Sequence, residues 1–149
     1  DYIRRCVGSH AVLPIGAGAE QVLAKVLEVE EEAERESERE VLRRLKAALG
    51  SREGGVAGVE PTLEALSAGR VGELVVSHRM SSPGARCPSC ERLLMRASRC
   101  PTCGSATKRI PDVVEAAVAV AFRSGARVEA VVDDESMRSF DGVGALFRF

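Results

Sequence analysis

Residues 61–77 read PTLEALSAGRVGELVVS, a stretch that combines a short helix with a buried strand. Proline is favoured in the first turn of a helix and glycine just after the last one, so Pro61 and Gly69 predict a helix between them. Val71–Ser77 is a predicted strand with an apolar centre that we expect to be buried. A short helix followed directly by a buried strand is typical of α/β proteins.

The same alternation continues on both sides of this stretch. Strands that alternate with short helices predict βαβ units and a sheet that is covered on both faces. The predicted order is β-α-β-α-β-β, once the cysteine-containing segment after the second strand is set aside as an insertion. The other predicted elements are a strand at 56–59, a helix from Pro111 to Gly125, a strand at 127–132, a polar loop at 133–141 and a strand at 143–149.

Residues 18–49 are predicted to form one long helix, with Gly50 as its stop. At about 1.5 Å per residue this helix is roughly 48 Å long. Both of its ends carry apolar residues at helical spacing, whereas residues 28–40 contain eight Glu and two Arg. Apolar ends with a polar middle suit a strut between two domains. An ordinary surface helix fits the pattern equally well, and an acidic docking stripe is a third alternative.

These observations divide the chain into three segments. Residues 1–17 are predicted to be the tail of a preceding domain, and residues 18–49 the connecting helix. Residues 50–149 are predicted to form the α/β domain, with the insertion at about 84–107. Because the chain begins at Asp1 without Met, we expect it to be a piece of a longer protein.

The insertion contains two C-P-x-C motifs separated by nine residues. A C-x-x-C turn places two thiolates on one side of a tight loop, and two such turns give the four sulfurs in a tetrahedron that Zn²⁺ prefers. Four cysteines fill the coordination shell, so the metal is expected to be structural. Free or disulfide-paired cysteines are the alternative. We predict a zinc ribbon with one Zn²⁺ per chain, held by Cys87, Cys90, Cys100 and Cys103.

The insertion is also basic. Residues 86–109 contain six basic residues and one acidic residue, and four thiolates with one Zn²⁺ leave a net charge of roughly +3. A surface of this kind can contact RNA, the ribosome or an acidic protein. Alternatively, these side chains only offset the anionic metal centre and keep the loop soluble. The candidate contact residues are Arg86, Arg92, Arg96, Arg99, Lys108 and Arg109.

Composition argues against several classes of protein. The net charge of −1 and the single Tyr without Trp argue against a surface that is basic all over or lined with base-stacking aromatic residues. No apolar run is long enough to span a membrane, and no secretory signal is found. Cysteines at zinc spacing favour a reducing compartment, so we expect a cytoplasmic location. Neither His10 nor His78 has a Ser or Asp partner at a recognisable spacing, so we predict neither an enzyme nor a small-molecule substrate.

From about residue 18 onward, the chain resembles the C-terminal region of class-1 peptide-chain release factors of the archaeal and eukaryotic type and of their Pelota relatives. It is most similar to the bacterial members of that superfamily. The resemblance rests on four stretches that occur in a fixed order and together cover most of the chain. They are the Glu/Arg-rich helix, residues 62–76, the two C-P-x-C motifs, and residues 113–132 with the closing 141–149.

The resemblance implies a three-layer α/β/α sandwich, shared with kink-turn-binding ribosomal proteins, that binds partners and is positioned on the ribosome. In this family the hydrolysis of peptidyl-tRNA belongs to the middle domain and its Gly-Gly-Gln loop. Here Gly54-Gly55 is followed by Val56, so no catalytic residue is carried over. Residues 1–17 would be the last piece of that middle domain.

The expected function is therefore that of a non-catalytic domain of a translation termination or ribosome rescue protein. Its expected partner is the ribosome or a translation factor, with RNA contacted through the basic ribbon. A stand-alone zinc-ribbon RNA-binding module is the alternative.

Overall fold

The computed structural model describes residues 11–51, 54–132 and 134–148. The chain divides into two compact units, Asp1–Glu40 and Val41–Phe149. The long helix predicted from the sequence is present as α1 (Ala19–Ser51), which supplies residues to both units. Cys6 and His10 lie outside the described residues, as does most of the predicted tail. Within the described ranges, no helix combines the length and the apolar character needed to cross a membrane.

The first unit consists mainly of the N-terminal part of α1. None of residues 28–40 is buried, as expected for a stretch so rich in Glu. Arg35 lies 3.4 Å from Glu31, and Arg39 lies 2.5 Å from Glu36, so charge pairs one turn apart run along the helix surface. Pairs one turn apart stabilise an exposed helix by about 0.2–0.5 kcal/mol each. This part of α1 is therefore held by its own charges more than by burial.

The second unit contains the remaining elements. In chain order they are β1 (Gly55–Ala57), α2 (Val59–Ser67), β2 (Val71–Ser77), β3 (Gly84–Arg86), β4 (Leu93–Leu94), β5 (Lys108–Ile110), α3 (Val113–Arg123), β6 (Arg127–Val131), α4 (Asp134–Arg138) and β7 (Val143–Phe147).

A four-stranded sheet with the order β1-β7-β2-β6 forms the centre of this unit. The central strand β2 pairs in parallel with β6 and antiparallel with β7, and β7 pairs antiparallel with β1. The parallel pair is joined through α3, as a βαβ crossover requires. The predicted mixed α/β order is thus present, with α4 as an addition between the last two strands.

Helices cover both faces of the sheet. On one face, Leu74 and Val76 of β2 belong to a core with Leu63 of α2 and Ala117 of α3. On the other face, Val75 belongs to a second core, which includes Val41, Leu42 and Leu45 of α1 with Met137 and Phe140. Neighbouring residues of a strand point to opposite faces, so the apolar run in β2 serves both cores. The predicted three-layer α/β/α sandwich is confirmed.

Several sequence predictions were wrong in detail. Gly50, the predicted stop of the long helix, lies inside α1, which continues to Ser51. The polar loop predicted at 133–141 contains α4, and Met137 and Phe140 are buried there with 0% and 8% exposure. Met137 and Phe140, three residues apart, both pack in the second core. A five-residue helix is too short to show a period in the sequence. The strand predicted to end at Val59 instead stops at Ala57, because Gly58 has a φ of +91° and α2 begins directly after it.

The last turns of α1 lie close against β7 because residue 144 has no side chain. A Cβ atom on Gly144 would lie 2.7 Å from Cδ2 of Leu45 and 3.1 Å from the carbonyl oxygen of Val56. Both distances are shorter than van der Waals contact. Gly144 is therefore required for the close packing of this helix on the sheet.

A buried carboxylate joins α1 to the far edge of the sheet. Glu73 of β2 is 5% exposed and accepts hydrogen bonds from Arg44 of α1 and, at 3.2 Å, from Arg127 of β6. A buried charge is tolerated when it is paired and hydrogen-bonded. Glu73 thus links three elements that are distant along the chain.

Candidate metal centre and basic surface

The insertion forms a small sheet of its own, which the sequence did not predict. Its three antiparallel strands have the order β4-β3-β5, with Ala85 of β3 paired to Leu94 on one side and Arg109 on the other. The first cysteine, Cys87, follows directly after the central strand β3. The sheet therefore fixes the position from which the cysteine turns extend. We refer to residues 84–110 as the ribbon.

The ribbon is anchored where it rejoins the core at α3. Asp112 caps this helix, accepting hydrogen bonds from the backbone N–H of Val114 at 2.8 Å and of Glu115 at 3.2 Å. It also accepts from the N–H of Ser82 at 3.4 Å, on the incoming side of the ribbon. Burial raises the pKa of the Asp112 carboxyl, but these N–H groups and the hydroxyl of Ser81 outweigh it, so the pKa lies below its usual value.

The two cysteine turns have the same backbone design. In the first, the N–H of Glu91 donates to the carbonyl of Cys87, and in the second the N–H of Gly104 donates to Cys100, both at 2.9 Å. The residue after each cysteine pair has a left-handed backbone, with φ of +61° at Glu91 and +74° at Gly104. Such a turn brings both thiols of a C-P-x-C motif to one side of the loop. Glycine adopts this conformation without strain, which accounts for Gly104.

The four sulfurs meet at one point. They all lie within 4.8 Å of one another, and three pairs are closer: Cys87 to Cys103 at 3.4 Å, Cys90 to Cys100 at 3.5 Å and Cys103 to Cys90 at 3.7 Å. A disulfide would need about 2.05 Å. With Zn–S bonds of about 2.3 Å, the sulfurs of a regular tetrahedron lie about 3.8 Å apart. The donor set therefore fits a tetrahedral metal ion.

The surroundings of these thiols raise the pKa of one cysteine and lower the pKa of two others. The backbone N–H of Arg92 lowers the pKa of Cys90, but contacts with the Cys100 and Cys87 sulfurs and burial outweigh it and raise the pKa to about 12. Burial raises the pKa of Cys100, yet the N–H groups of Cys103 and Thr102 lower it to about 6. The hydroxyl and N–H of Ser105 lower the pKa of Cys103. Backbone donors are thus already aimed at sulfur, where thiolates bound to a metal need them.

Three of the six basic candidates are engaged within the ribbon. Arg86 lies 2.8 Å from Glu91, Arg92 donates to the hydroxyl of Thr102 at 2.8 Å, and Arg99 donates to the carbonyl of Gly104 at 3.2 Å. Two of these contacts reach the turn around the second cysteine pair. These arginines therefore support the cysteine turns through partners within the ribbon.

The other three basic candidates have no such contact. Arg96, Lys108 and Arg109 are exposed, and no ion pair or hydrogen bond of their side chains is found among the described residues. The structure therefore divides the six basic candidates into three whose side chains have partners within the ribbon and three whose side chains do not. This division was not visible in the sequence, because it depends on which partners the fold brings near each side chain.

Comparison with known proteins identifies a fold but no family. No family model matches the chain, and no curated protein sequence matches it significantly. Among solved structures, it is similar to the C-terminal domain of a peptide chain release factor from Methanosarcina mazei, with a TM-score of 0.65 and 19% identity. That similarity covers 93% of this chain and 98% of the other.

A second solved structure, the Pelota protein of Archaeoglobus fulgidus, is similar with a TM-score of 0.58 and 15% identity. Here the similarity covers 94% of this chain but 39% of the Pelota chain. Identities this low show a common fold alone. Both structures are archaeal proteins, and the bacterial affiliation implied by the sequence resemblance stays a prediction.

Proposed function

We propose that this chain is a non-catalytic, ribosome- or partner-binding C-terminal domain of a release-factor-like protein of translation termination or ribosome rescue. The observation that supports the proposal is the similarity to the release-factor domain over 93% of one chain and 98% of the other. A match of this extent spans most of both chains. Folds host many functions, so the proposal needs a direct test.

The metal in this proposal is one structural Zn²⁺, held by Cys87, Cys90, Cys100 and Cys103. The all-sulfur donor set and the sulfur separations of 3.4–3.7 Å support this choice. Zinc with four cysteine ligands has no open position for water or substrate. Its role is to stabilise the ribbon, and the proposed domain acts in the cytoplasm through the surface that the ribbon presents.

Co-sedimentation with purified ribosomes tests the proposal. The 149-residue chain is expected to pellet with ribosomes at low salt, and a chain without the cysteine turns to pellet less. Arg86 and Lys108 are directly paired across β3 and β5, so an Asn-Gly turn can replace residues 87–107. Circular dichroism checks that the shortened chain is folded. A native chain that stays in the supernatant at low salt would exclude the ribosome as its partner.

The non-catalytic part of the proposal has its own test. Ribosomes carrying peptidyl-tRNA at a stop codon are mixed with the chain, and release of the peptide is followed over time. We expect no release above the rate without added protein, and a complete release factor serves as the positive control. Peptide release by the chain itself would contradict the proposal.

A further inference from the structure

We propose that the ribbon binds the phosphodiester backbone of paired RNA in a cleft on one face of its sheet, through Arg96 and Arg109. This inference rests on the proposed function, because an RNA partner is what the ribosome offers. It goes further by separating two of the six basic residues from the others and by stating the form of RNA they recognise.

The cleft has a volume of about 770 Å³ and lies between the strands of the ribbon and the segment after β4. Ala85, which is 3% exposed, forms part of its wall, together with Met95, Ser98 and Thr107. Its described lining includes no acidic residue, whereas two arginines, Arg96 and Arg109, belong to it. Its charge is therefore complementary to an anion.

Strand geometry separates Arg109 from its basic neighbour. Arg109 is paired directly with Ala85, and Lys108 is paired directly with Arg86. Residues that face each other across a strand pair lie on the same face of the sheet, and successive residues alternate. Arg109 thus shares the face of the cleft, and Lys108 lies on the opposite face.

The two arginines of the cleft are available for a ligand. Neither side chain forms an ion pair or hydrogen bond with any residue in the described part of the chain, and both are exposed. A guanidinium presents five donors in a planar fork that matches two oxygens of a phosphate. Two such groups without internal acceptors suit the repeated phosphates of a nucleic-acid backbone.

The composition of the ribbon favours paired RNA over unpaired RNA. Residues 86–109 contain no Phe, Tyr or Trp, so no aromatic platform is available for unstacked bases. Proteins that bind single strands rely on such stacking, whereas double-stranded RNA is recognised mainly by its shape and its phosphates. Contacts to phosphates carry no sequence information, so binding is expected to be independent of sequence.

Fluorescence anisotropy with a labelled RNA duplex of roughly 16 base pairs tests this proposal, using the 149-residue chain loaded with zinc. The affinity is expected to fall steeply with salt. R96Q/R109Q should lower the affinity about tenfold or more and reduce the salt slope by about 2, because two phosphate contacts are lost. The charge-matched control is K46Q/R138Q, which changes an exposed lysine and an exposed arginine outside the ribbon and should have a much smaller effect.

A second comparison isolates the face of the sheet. R109Q and K108Q remove the same charge from adjacent residues on opposite faces of β5, and R109Q is expected to weaken binding more. If R96Q/R109Q loses its zinc, S98E tests the cleft instead. This variant places a carboxylate in the cleft without removing a basic residue. S98E is expected to weaken binding as well.

Several outcomes would overturn the proposal. One is an equal loss of duplex affinity for R96Q/R109Q and for K46Q/R138Q. Another is an equal loss for R109Q and for K108Q. A third is tighter binding of a single strand or of a poly-glutamate peptide than of the duplex. The result is separable from that for the proposed function. If the chain binds the duplex but not the ribosome, the cleft is still supported as an RNA-binding site, and the stand-alone RNA-binding module is favoured as the function. Ribosome binding without duplex binding would reject the cleft alone.

Discussion

Gly84 of β3 and Val113 of α3 approach so closely that a Cβ atom on residue 84 would lie 2.6 Å from the Cβ of Val113. The N–H of Val113 also donates to the carbonyl of Ser82 at 2.7 Å. The base of the ribbon is thus in direct contact with the first turn of α3, which belongs to the core. The ribbon is consequently attached to the sandwich by packing as well as by its two connecting segments.

This contact predicts that Gly84→Ala destabilises the protein. The added methyl group would also come 2.8 Å from the carbonyl oxygen of Leu94, so either the ribbon or α3 must shift. Overpacking of this kind costs about 1–3 kcal/mol in the free energy of unfolding, which urea denaturation measures. Gly50→Ala is the control: no atom lies within 4 Å of its added Cβ, so stability should stay the same or rise. Unchanged stability of Gly84→Ala would contradict the close contact.

Asp112 should make the stability depend on acid pH. Its pKa is lowered in the folded protein, so its stabilising contribution is complete above the unfolded pKa of about 3.9 and is lost as the pH falls through the folded pKa. Asp112→Ala should cost about 1 kcal/mol at neutral pH through loss of the helix cap.

The matched control for this prediction is Asp112→Asn, which still caps the helix but does not titrate. The stability gap between the native protein and Asp112→Ala should shrink below about pH 4, whereas the gap between Asp112→Asn and Asp112→Ala should stay constant. Thermal unfolding at a series of pH values measures both gaps. A native advantage that persists unchanged to strongly acid pH would argue against the lowered pKa.

The four-sulfur cluster predicts one zinc ion per chain and a local effect of its removal. Elemental analysis should find one Zn²⁺ in the native protein and none in Cys100→Ser, while Cys6→Ser should keep the metal. Because metal binding is coupled to the folding of the ribbon, a chelator should increase hydrogen exchange at residues 87–107 and leave β2 and β7 protected. Exchange that rises throughout the sheet after chelation would show that the core also depends on the metal.

The carboxylate of Glu73 predicts unequal roles for its two arginines. Arg44 is 36% exposed and Arg127 is 71% exposed. Arg44→Met should therefore cost about 1–3 kcal/mol, because it leaves a buried acceptor with one partner in place of two. Arg127→Met should cost about 1 kcal/mol or less, since exposed pairs are weak. Urea denaturation of both variants compares them, and a larger loss for Arg127→Met would reverse the assignment.

Much of the architecture could be predicted from local patterns. The apolar run of β2, the Pro61 and Gly69 signals of α2 and the Pro111 and Gly125 signals of α3 each act within a few residues. The order of the main elements followed from them. The ribbon strands could not be predicted in this way, because a strand of two or three residues is too short to show a periodic pattern. The helix α4 was missed for the same reason, although Met137 and Phe140 complete a core.

The candidate metal site was also predictable from the sequence in part. The four cysteines could be selected from their spacing, because each C-P-x-C turn is closed by a hydrogen bond within its own loop. The left-handed backbone at Glu91 was not expected, since glutamate gives no signal for it. A comparison of the two motifs could have suggested it, because Glu91 occupies the position that corresponds to Gly104.

The sequence by itself determined the order of the main helices and strands of the sandwich and the candidate set of sulfur ligands, because both depend on neighbours a few residues apart. The tertiary structure decided which basic residues are engaged, where the cleft lies, and how Glu73 meets Arg44 and Arg127 from positions 29 and 54 residues away. Contacts between residues so far apart along the chain depend on which faces of the helices and the sheet pack together. Packing of faces is a property of the assembled layers, and no local pattern along the chain encodes it.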